Sequence, residues 1–246
     1  MRYFIEFAYN GKNYHGWQKQ PDAVTVQETL ENALSLLLRQ TVSLTGAGRT
    51  DSGVHARQMF AHFDLDGLAS RTILVNRLNA YLPSDIAVNS IFEVAPDAHA
   101  RFDAVSRTYE YWVVNRKDPF LESFAYYLRK VPDINLMNEA ATLLFEYDDF
   151  QCFSKSNTDV KTYLCEITQA EWKYEHDKLV FTITANRFLR NMVRAVVGTL
   201  LDVGLGKISK EDVKNIIESK NRSKAGFSVP AHALYLNSIV YPYLLS

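Results

Sequence analysis

A carboxylate set between glycines is the feature of this sequence with the clearest potential for chemistry. Asp51 lies in the nonapeptide GRTDSGVHA, residues 48–56. Glycines at positions 46, 48 and 53 allow a sharp turn and the close approach of a ligand. Arg49 favours the ionised carboxylate and can also bind a phosphate. The segment predicts a nucleophilic aspartate beside a nucleic-acid backbone, although aspartates in such turns also serve simply as backbone caps.

A second charged residue lies within a predicted apolar helix, residues 188–203. Its apolar residues cover more than one stripe, which indicates burial on several sides; they are Phe188, Leu189, Met192, Val193, Val196, Val197, Leu200 and Leu201. Arg194 stands among them, and a buried guanidinium needs a carboxylate partner. We expect that partner to be Asp51. A structural acid, or a guanidinium that reaches solvent, fits the periodicity equally well.

The elements around Asp51 predict a β-α-β-β-α-β series. Strands are predicted at residues 3–9, 42–44, 58–65 and 86–94 from their apolar alternation. Thr25 and Glu28 form a predicted capping box for a helix that reaches Leu38. A second helix, residues 70–80, is ended by Pro83.

The second half repeats this series with one added helix. Strands are predicted at residues 107–114, 162–174, 179–185 and 238–241. A helix capped by Asp133 runs to about residue 145, and another capped by Ser209 follows the apolar helix. We therefore predict an α+β fold of two related, ferredoxin-like (RRM-like) halves, residues 1–103 and 104–246, with the boundary near 98–104. The halves should form a mostly antiparallel sheet with helices on one face and an active-site cleft between them.

Composition sets wider bounds on the class of protein. The 246 residues are 47% hydrophobic, enough for a substantial core. The sequence has no apolar run of bilayer length and begins with strand-like alternation, so we expect a cytoplasmic protein. Cys152 and Cys165 are expected to be reduced, buried thiols. The histidines are scattered singly, and we predict no metal site.

Charge gives mixed evidence about the partner. The net charge of −1 argues mildly against nucleic acid, but residues 186–224 contain nine basic and four acidic side chains. Such an excess could serve RNA, and it is also typical of a solvated helix face.

Several blocks in this order resemble the tRNA pseudouridine synthase A (TruA) family. The Asp51 block matches the signature GRTDAGVHA, with Ser52 in place of alanine. The other blocks are YHGWQ (14–18), NAYLP (79–83), HARF (99–102), RTYEY (107–111), MVR (192–194) and PAHALY (230–235). Ala233 stands where the family has glycine, and the flanks of the MVR block also depart from the family pattern. The resemblance covers essentially the whole chain.

This resemblance implies a function and roles for four residues. Asp51 would be the nucleophile that converts uridine to pseudouridine at positions 38, 39 and 40 of the tRNA anticodon stem-loop. Arg194 would form a salt bridge with Asp51, and Tyr109 would stack on the flipped-out base and take part in moving a proton. Arg49 is the local candidate for binding the displaced strand. The family implies a homodimer, with no cofactor and no metal.

Two other classes of protein remain open. A non-catalytic RNA-binding module would also expose aromatic residues on a sheet. A glycosidase-like hydrolase would need a second carboxylate as general acid, for which Asp64 and Asp66 are the nearest later acids.

Overall fold

The computed structural model describes residues 1–155 and 160–244, which form two compact units. The first unit comprises Met1–Val105 and the segment that begins at Tyr235, and the second comprises Ser106–Leu234. Strands and helices alternate in both, and most strand pairs are antiparallel. The predicted α+β class is therefore confirmed.

The first unit has the predicted order of elements. They are β1 (Arg2–Tyr9), α1 (Val26–Leu38), β2 (Thr45–Gly46), β3 (His55–Asp64), α2 (Arg71–Tyr81) and β4 (Ile86–Val94), joined by β9 (Leu234–Val240) near the end of the chain. The sheet order is β4-β1-β3-β9, and β2 pairs with β3. The pair β3–β9 is parallel, with His55 opposite Tyr235. The last strand thus extends the sheet formed by the first part of the chain.

The strand β1 is buried on its second face at Phe4, whereas its apolar alternation indicated one buried face. Tyr3, Ile5 and Phe7 are buried, as the alternation indicated, but Phe4 on the other face is also fully buried. The Phe4 ring packs edge-on against Tyr241, with ring centroids 5.3 Å apart. Residues after β9 therefore cover the face that the alternation of β1 left unexplained.

The prediction of a strand at residues 42–44 was wrong. Val42 and Leu44 are buried, but the strand β2 begins at Thr45. The backbone before β2 is bonded to side chains of α1. The Val42 amide donates to Ser35 Oγ (2.9 Å), and the Leu44 amide donates to Glu31 Oε1 (2.9 Å). These bonds satisfy buried amides that a strand ladder would otherwise satisfy.

The second unit contains the repeated series except for its last strand, which was predicted at residues 238–241 and corresponds to β9, in the first unit. Its elements are β5 (Ser106–Val114), β6 (Tyr126–Tyr127), α3 (Ile134–Ala141), β7 (Ile167–Glu175), β8 (Lys178–Ala185), α4 (Met192–Gly204) and α5 (Lys210–Glu218). Strand β8 pairs antiparallel with β5 and β7, and β6 pairs parallel with β5. The helix α4 begins four residues later than predicted because Asn191 adopts a left-handed conformation (φ 67°), which ends the preceding segment.

Both cysteines are free and buried in the second unit, as predicted. Burial raises the thiol pKa to about 12 for Cys152 and to about 11 for Cys165. Both thiols are therefore protonated and unreactive at neutral pH.

His62 on β3 should make the stability of the protein depend on pH. Its side chain is buried, and Nδ1 accepts a hydrogen bond from the Ala100 amide (3.1 Å). Burial, with the positive charge of Arg2 and the nearby His99, lowers its pKa from 6.5 to about 4. Between these pH values the unfolded chain binds a proton that the folded chain does not. The free energy of unfolding should therefore fall by about 2–3 kcal/mol as the pH drops through this window.

Urea unfolding between pH 4 and pH 7 measures this effect. The variant His62→Asn keeps an acceptor near the Ala100 amide but cannot titrate, so its stability should vary less with pH. His15→Asn replaces an exposed histidine of the same unit and serves as the control. An unchanged pH dependence in His62→Asn would show that other groups dominate.

Candidate active site

Asp51 lies in the turn between β2 and β3, and its side chain is half-buried. The backbone carbonyl of Asp51 accepts a hydrogen bond from the Val54 amide (3.1 Å), which closes the turn. The neighbouring Ser52 is exposed. Asp51 therefore lies at the edge of the first unit and not within its core. A residue that reacts with a large substrate requires such a position.

The segment that carries the YHGWQ block supports this turn. The Trp17 amide donates to the Thr50 carbonyl (3.3 Å), and the Gly53 amide donates to the Tyr14 carbonyl (3.3 Å). Ser52 Oγ also donates to the Tyr14 carbonyl, at 3.3 Å. Main-chain atoms before and after Asp51 are therefore both tied to the same supporting segment. This fixes the position from which the carboxylate projects.

Gly16 allows the supporting segment to approach the turn this closely. Its φ is +88°, and a Cβ at this position would lie 2.4 Å from the Thr50 carbonyl oxygen and 3.2 Å from the Asp51 carbonyl carbon. A side chain would thus collide with backbone, which cannot move aside as a flexible side chain can. The sequence showed this block only as one of several that resemble the family; the structure places it directly against the Asp51 turn.

Two further residues of the first unit hold the turn and were not identified from the sequence. The Tyr9 hydroxyl lies 2.8 Å from Thr50 Oγ1. His55, which follows the turn, accepts a hydrogen bond from the Gly11 amide at Nδ1 (3.0 Å), and its ring stacks on Tyr235 with centroids 4.8 Å apart. The histidine of the GRTDSGVHA signature therefore joins β3 to β9 and to the segment that follows β1. The family blocks contained this signal, since Tyr235 belongs to the PAHALY block.

Arg49 lies two residues before Asp51 and is exposed. Its guanidinium is accessible to an anion from solvent. This agrees with a role in phosphate binding, which stays a prediction.

Tyr109 lies on β5 of the second unit, opposite Ile183 on β8. Its ring is half-buried and packs edge-on against Phe188, with centroids 5.1 Å apart and an interplanar angle of 88°. The neighbouring Tyr111 is fully buried, as predicted for a core residue, and its hydroxyl donates to the Pro230 carbonyl (3.0 Å). The two tyrosines of the RTYEY block therefore differ in environment, and only Tyr109 retains partial exposure.

Arg194 is the third residue of α4 and is half-buried. Its Nε donates to the Val229 carbonyl (2.7 Å), and its own carbonyl accepts from the Val229 amide (3.2 Å). One edge of the guanidinium is therefore fixed by backbone within the second unit. Its pairing with Asp51 of the first unit stays a prediction.

Comparison with known proteins identifies the family. A family profile described as tRNA pseudouridine synthase matches residues 6–103 and 140–242. The chain belongs to the tRNA pseudouridine synthase family. It is 54% identical over 242 residues to the tRNA pseudouridine synthase A of Parabacteroides distasonis, covering 98% of this chain and 96% of the relative. The Porphyromonas gingivalis protein of the same name is 55% identical over 245 residues (98% and 97%).

More distant members of the synthase family also align along nearly the whole chain. The tRNA pseudouridine synthase A of Caldicellulosiruptor bescii is 39% identical over 239 residues, covering 96% of this chain and 98% of the relative. The profile match includes Arg49, Asp51 and Arg194, whereas Tyr109 lies between its two matched segments.

Metal-binding clusters and membrane-spanning helices are both absent from residues 1–155 and 160–244. Within these ranges, no three histidine, cysteine or acidic side chains come together as a metal ion would require. None of the helices there has the length and apolar character needed to cross a bilayer.

Proposed function

We propose that this member of the tRNA pseudouridine synthase family isomerises uridines 38, 39 and 40 of the tRNA anticodon stem-loop, with Asp51 as the nucleophile. The observation that carries the proposal is the Asp51 turn, in which Asp51 is half-buried and hydrogen bonds fix the backbone on both sides of it. A nucleophile held in this way can meet a base without first reorganising its own loop.

The reaction makes limited demands on the protein. The N1–C1′ glycosidic bond breaks, the uracil turns while bound, and a C5–C1′ bond forms as C5 loses its proton and N1 gains one. Because no electrons are exchanged with a second molecule, side chains suffice. A carboxylate can form an adduct with the sugar or with the pyrimidine ring and then leave, as acids do in retaining glycosidases.

The remaining candidate residues receive complementary roles in this proposal. Arg194 pairs with Asp51 and orients its carboxylate. Tyr109 stacks on the flipped-out uracil, which replaces the stacking that the base loses on leaving the helix. Arg49 binds a phosphate of the displaced strand.

Mapping pseudouridine in tRNA tests the proposal directly. The purified protein is incubated with unmodified tRNA, and pseudouridine is located by carbodiimide-dependent stops of reverse transcription. Stops should map to positions 38–40 and disappear in a tRNA with cytidine at these positions. Release of free uracil would indicate a hydrolase, and binding without modification would indicate an RNA-binding module.

We further propose that the protein is a cytoplasmic homodimer whose two subunits hold one tRNA. Light scattering on the purified protein should give twice the mass of one chain. A monomer with full activity would contradict the shared tRNA site.

Replacing Tyr109 by phenylalanine should separate stacking from proton transfer. The ring and its contact with Phe188 are kept, so the affinity for tRNA should not change. The loss of the hydroxyl should slow the reaction by about 10²-fold, the lower range for a general acid or base. Tritium release from tRNA labelled at uridine C5 measures this rate, and Tyr174→Phe, at an exposed tyrosine on β7, is the control. Full rate in Tyr109→Phe would remove the hydroxyl from the mechanism.

A further inference from the structure

The segment 226–229 of the second unit runs directly along the helix α4. The Gly226 amide donates to Thr199 Oγ1 (2.9 Å), and the Val229 amide donates to the Arg194 carbonyl (3.2 Å). Gly198 makes this approach possible, because a Cβ there would lie 1.9 Å from the Phe227 carbonyl oxygen. The backbone of segment 226–229 is therefore in direct contact with the backbone of α4. A shift of this segment would move the side chains that are bonded to it.

One group that this segment holds is the guanidinium of Arg194. The Val229 carbonyl accepts from Arg194 Nε at 2.7 Å. An Nε bond fixes the rotation of the planar guanidinium, and it thereby sets the direction in which the two terminal nitrogens point. The position of the Val229 carbonyl is therefore a determinant of the Arg194 geometry.

Arg222 also forms hydrogen bonds with segment 226–229. Its two terminal nitrogens donate to the Gly226 carbonyl (3.2 Å) and to Ser228 Oγ (2.8 Å). Ser228 Oγ also accepts from Asn191 Nδ2 at 2.6 Å, and Asn191 is the left-handed residue immediately before α4. Arg222 and Asn191 thus meet at one hydroxyl, which links the start of α4 to the segment that orients Arg194.

We propose that Arg222 is a positioning residue of the synthase, which acts through Ser228 and Val229 on the orientation of Arg194. The inference rests on the role proposed above for Arg194. By charge alone Arg222 counts among the basic residues available to RNA, but its half-buried guanidinium already makes two charge-assisted bonds. Its removal should therefore affect the chemical step more than tRNA binding.

The test compares Arg222→Gln with Lys224→Gln, its matched control. Lys224 is an exposed cation two residues away in the same 3-10 turn, so both variants lose one positive charge at the same place. Arg222→Gln should lower kcat about ten- to a hundredfold, the scale of a small misplacement of a reacting group, with KM for tRNA within twofold. Lys224→Gln should keep kcat. If Arg222→Gln does not fold, Ser228→Ala provides the test instead. It removes only a hydroxyl and should also lower kcat.

A double-variant comparison separates positioning from a general loss of structure. Arg194→Lys keeps the charge but has no Nε to bond Val229, so adding Arg222→Gln should lower kcat much less than in the wild type. If Arg222→Gln lowers kcat by the same factor in Arg194→Lys as in the wild type, the proposal is wrong. An Arg222→Gln variant with unchanged kcat, a raised KM and a salt dependence of binding reduced by about one ion would also overturn it, since these indicate a phosphate contact. A wild-type protein that forms no pseudouridine would instead defeat the proposed function itself.

Discussion

Asp51→Asn is expected to form no detectable pseudouridine while it still folds and binds tRNA. The amide has the shape of the carboxylate but cannot form the covalent adduct, and loss of a nucleophile lowers kcat by roughly 10⁴- to 10⁶-fold. The turn should persist, because hydrogen bonds join the backbone of Thr50, Asp51 and Gly53 to other main-chain atoms. Tritium release from C5-labelled tRNA, filter binding and thermal unfolding measure the three properties separately.

Two companion variants sharpen this experiment. Asp51→Ala excludes activity regained by deamidation of the introduced asparagine to aspartate. Asp66→Asn neutralises an exposed acid of the same unit, and it should keep full activity because the proposed reaction needs no second carboxylate. Turnover in Asp51→Ala would refute the assignment of the nucleophile.

Gly16→Ala should strongly impair both folding and activity, although Gly16 is not one of the four candidate residues. The new Cβ would lie 2.4 Å from the Thr50 carbonyl oxygen, and the positive φ of +88° is itself strained for alanine, at a cost of about 1–3 kcal/mol. Either the supporting segment or the Asp51 turn must move. We expect a loss of stability of this order and a fall in kcat of about 10²-fold, since small displacements of a reacting group have large effects on rate.

Gly48→Ala is the matched control for the stability effect. Gly48 lies at the start of the same turn, but a Cβ there would meet no described atom within 4 Å. Its free energy of unfolding should change by no more than about 0.5 kcal/mol. Equal destabilisation of both variants in urea would show that the turn is sensitive to any added carbon, and that the contact at Gly16 has no special role.

Local signals in the sequence predicted most helix starts correctly. Thr25, Ser70, Asp133 and Ser209 each cap a helix through the side-chain bond that their residue type suggests. These bonds reach only two or three residues along the chain, so they can be read without knowledge of the fold. The one difference concerns the capping box predicted for Thr25 and Glu28. The carboxylate of Glu28 instead lies 3.4 Å from Lys19 Nζ.

The errors lie where distant segments decide the local structure. The start of α4 depends on Asn191, whose side chain bonds Ser228 far along the chain. Val42 and Leu44 are buried without forming a strand because α1 supplies their hydrogen-bond partners. Such tertiary contacts override local preference and leave no periodic signal.

The candidate site shows the same limit. The glycines around Asp51 were sufficient to predict a turn at this position. The dependence of that turn on Gly16 could not be predicted, because it arises from two segments that approach only in the folded unit. The meeting of Asp51 with Arg194 and Tyr109 stays a prediction that the kinetic experiments above can test.

The pairing of β9 with β3 has a consequence for biosynthesis. The ribosome makes β3 and the Asp51 turn early, but it adds β9, and Tyr235 against which His55 stacks, only after the whole second unit. Domains made first usually fold first during translation, yet this one lacks a strand of its sheet until β9 emerges. The segment that carries Asp51 should therefore reach its final packing only after the second unit has been synthesised.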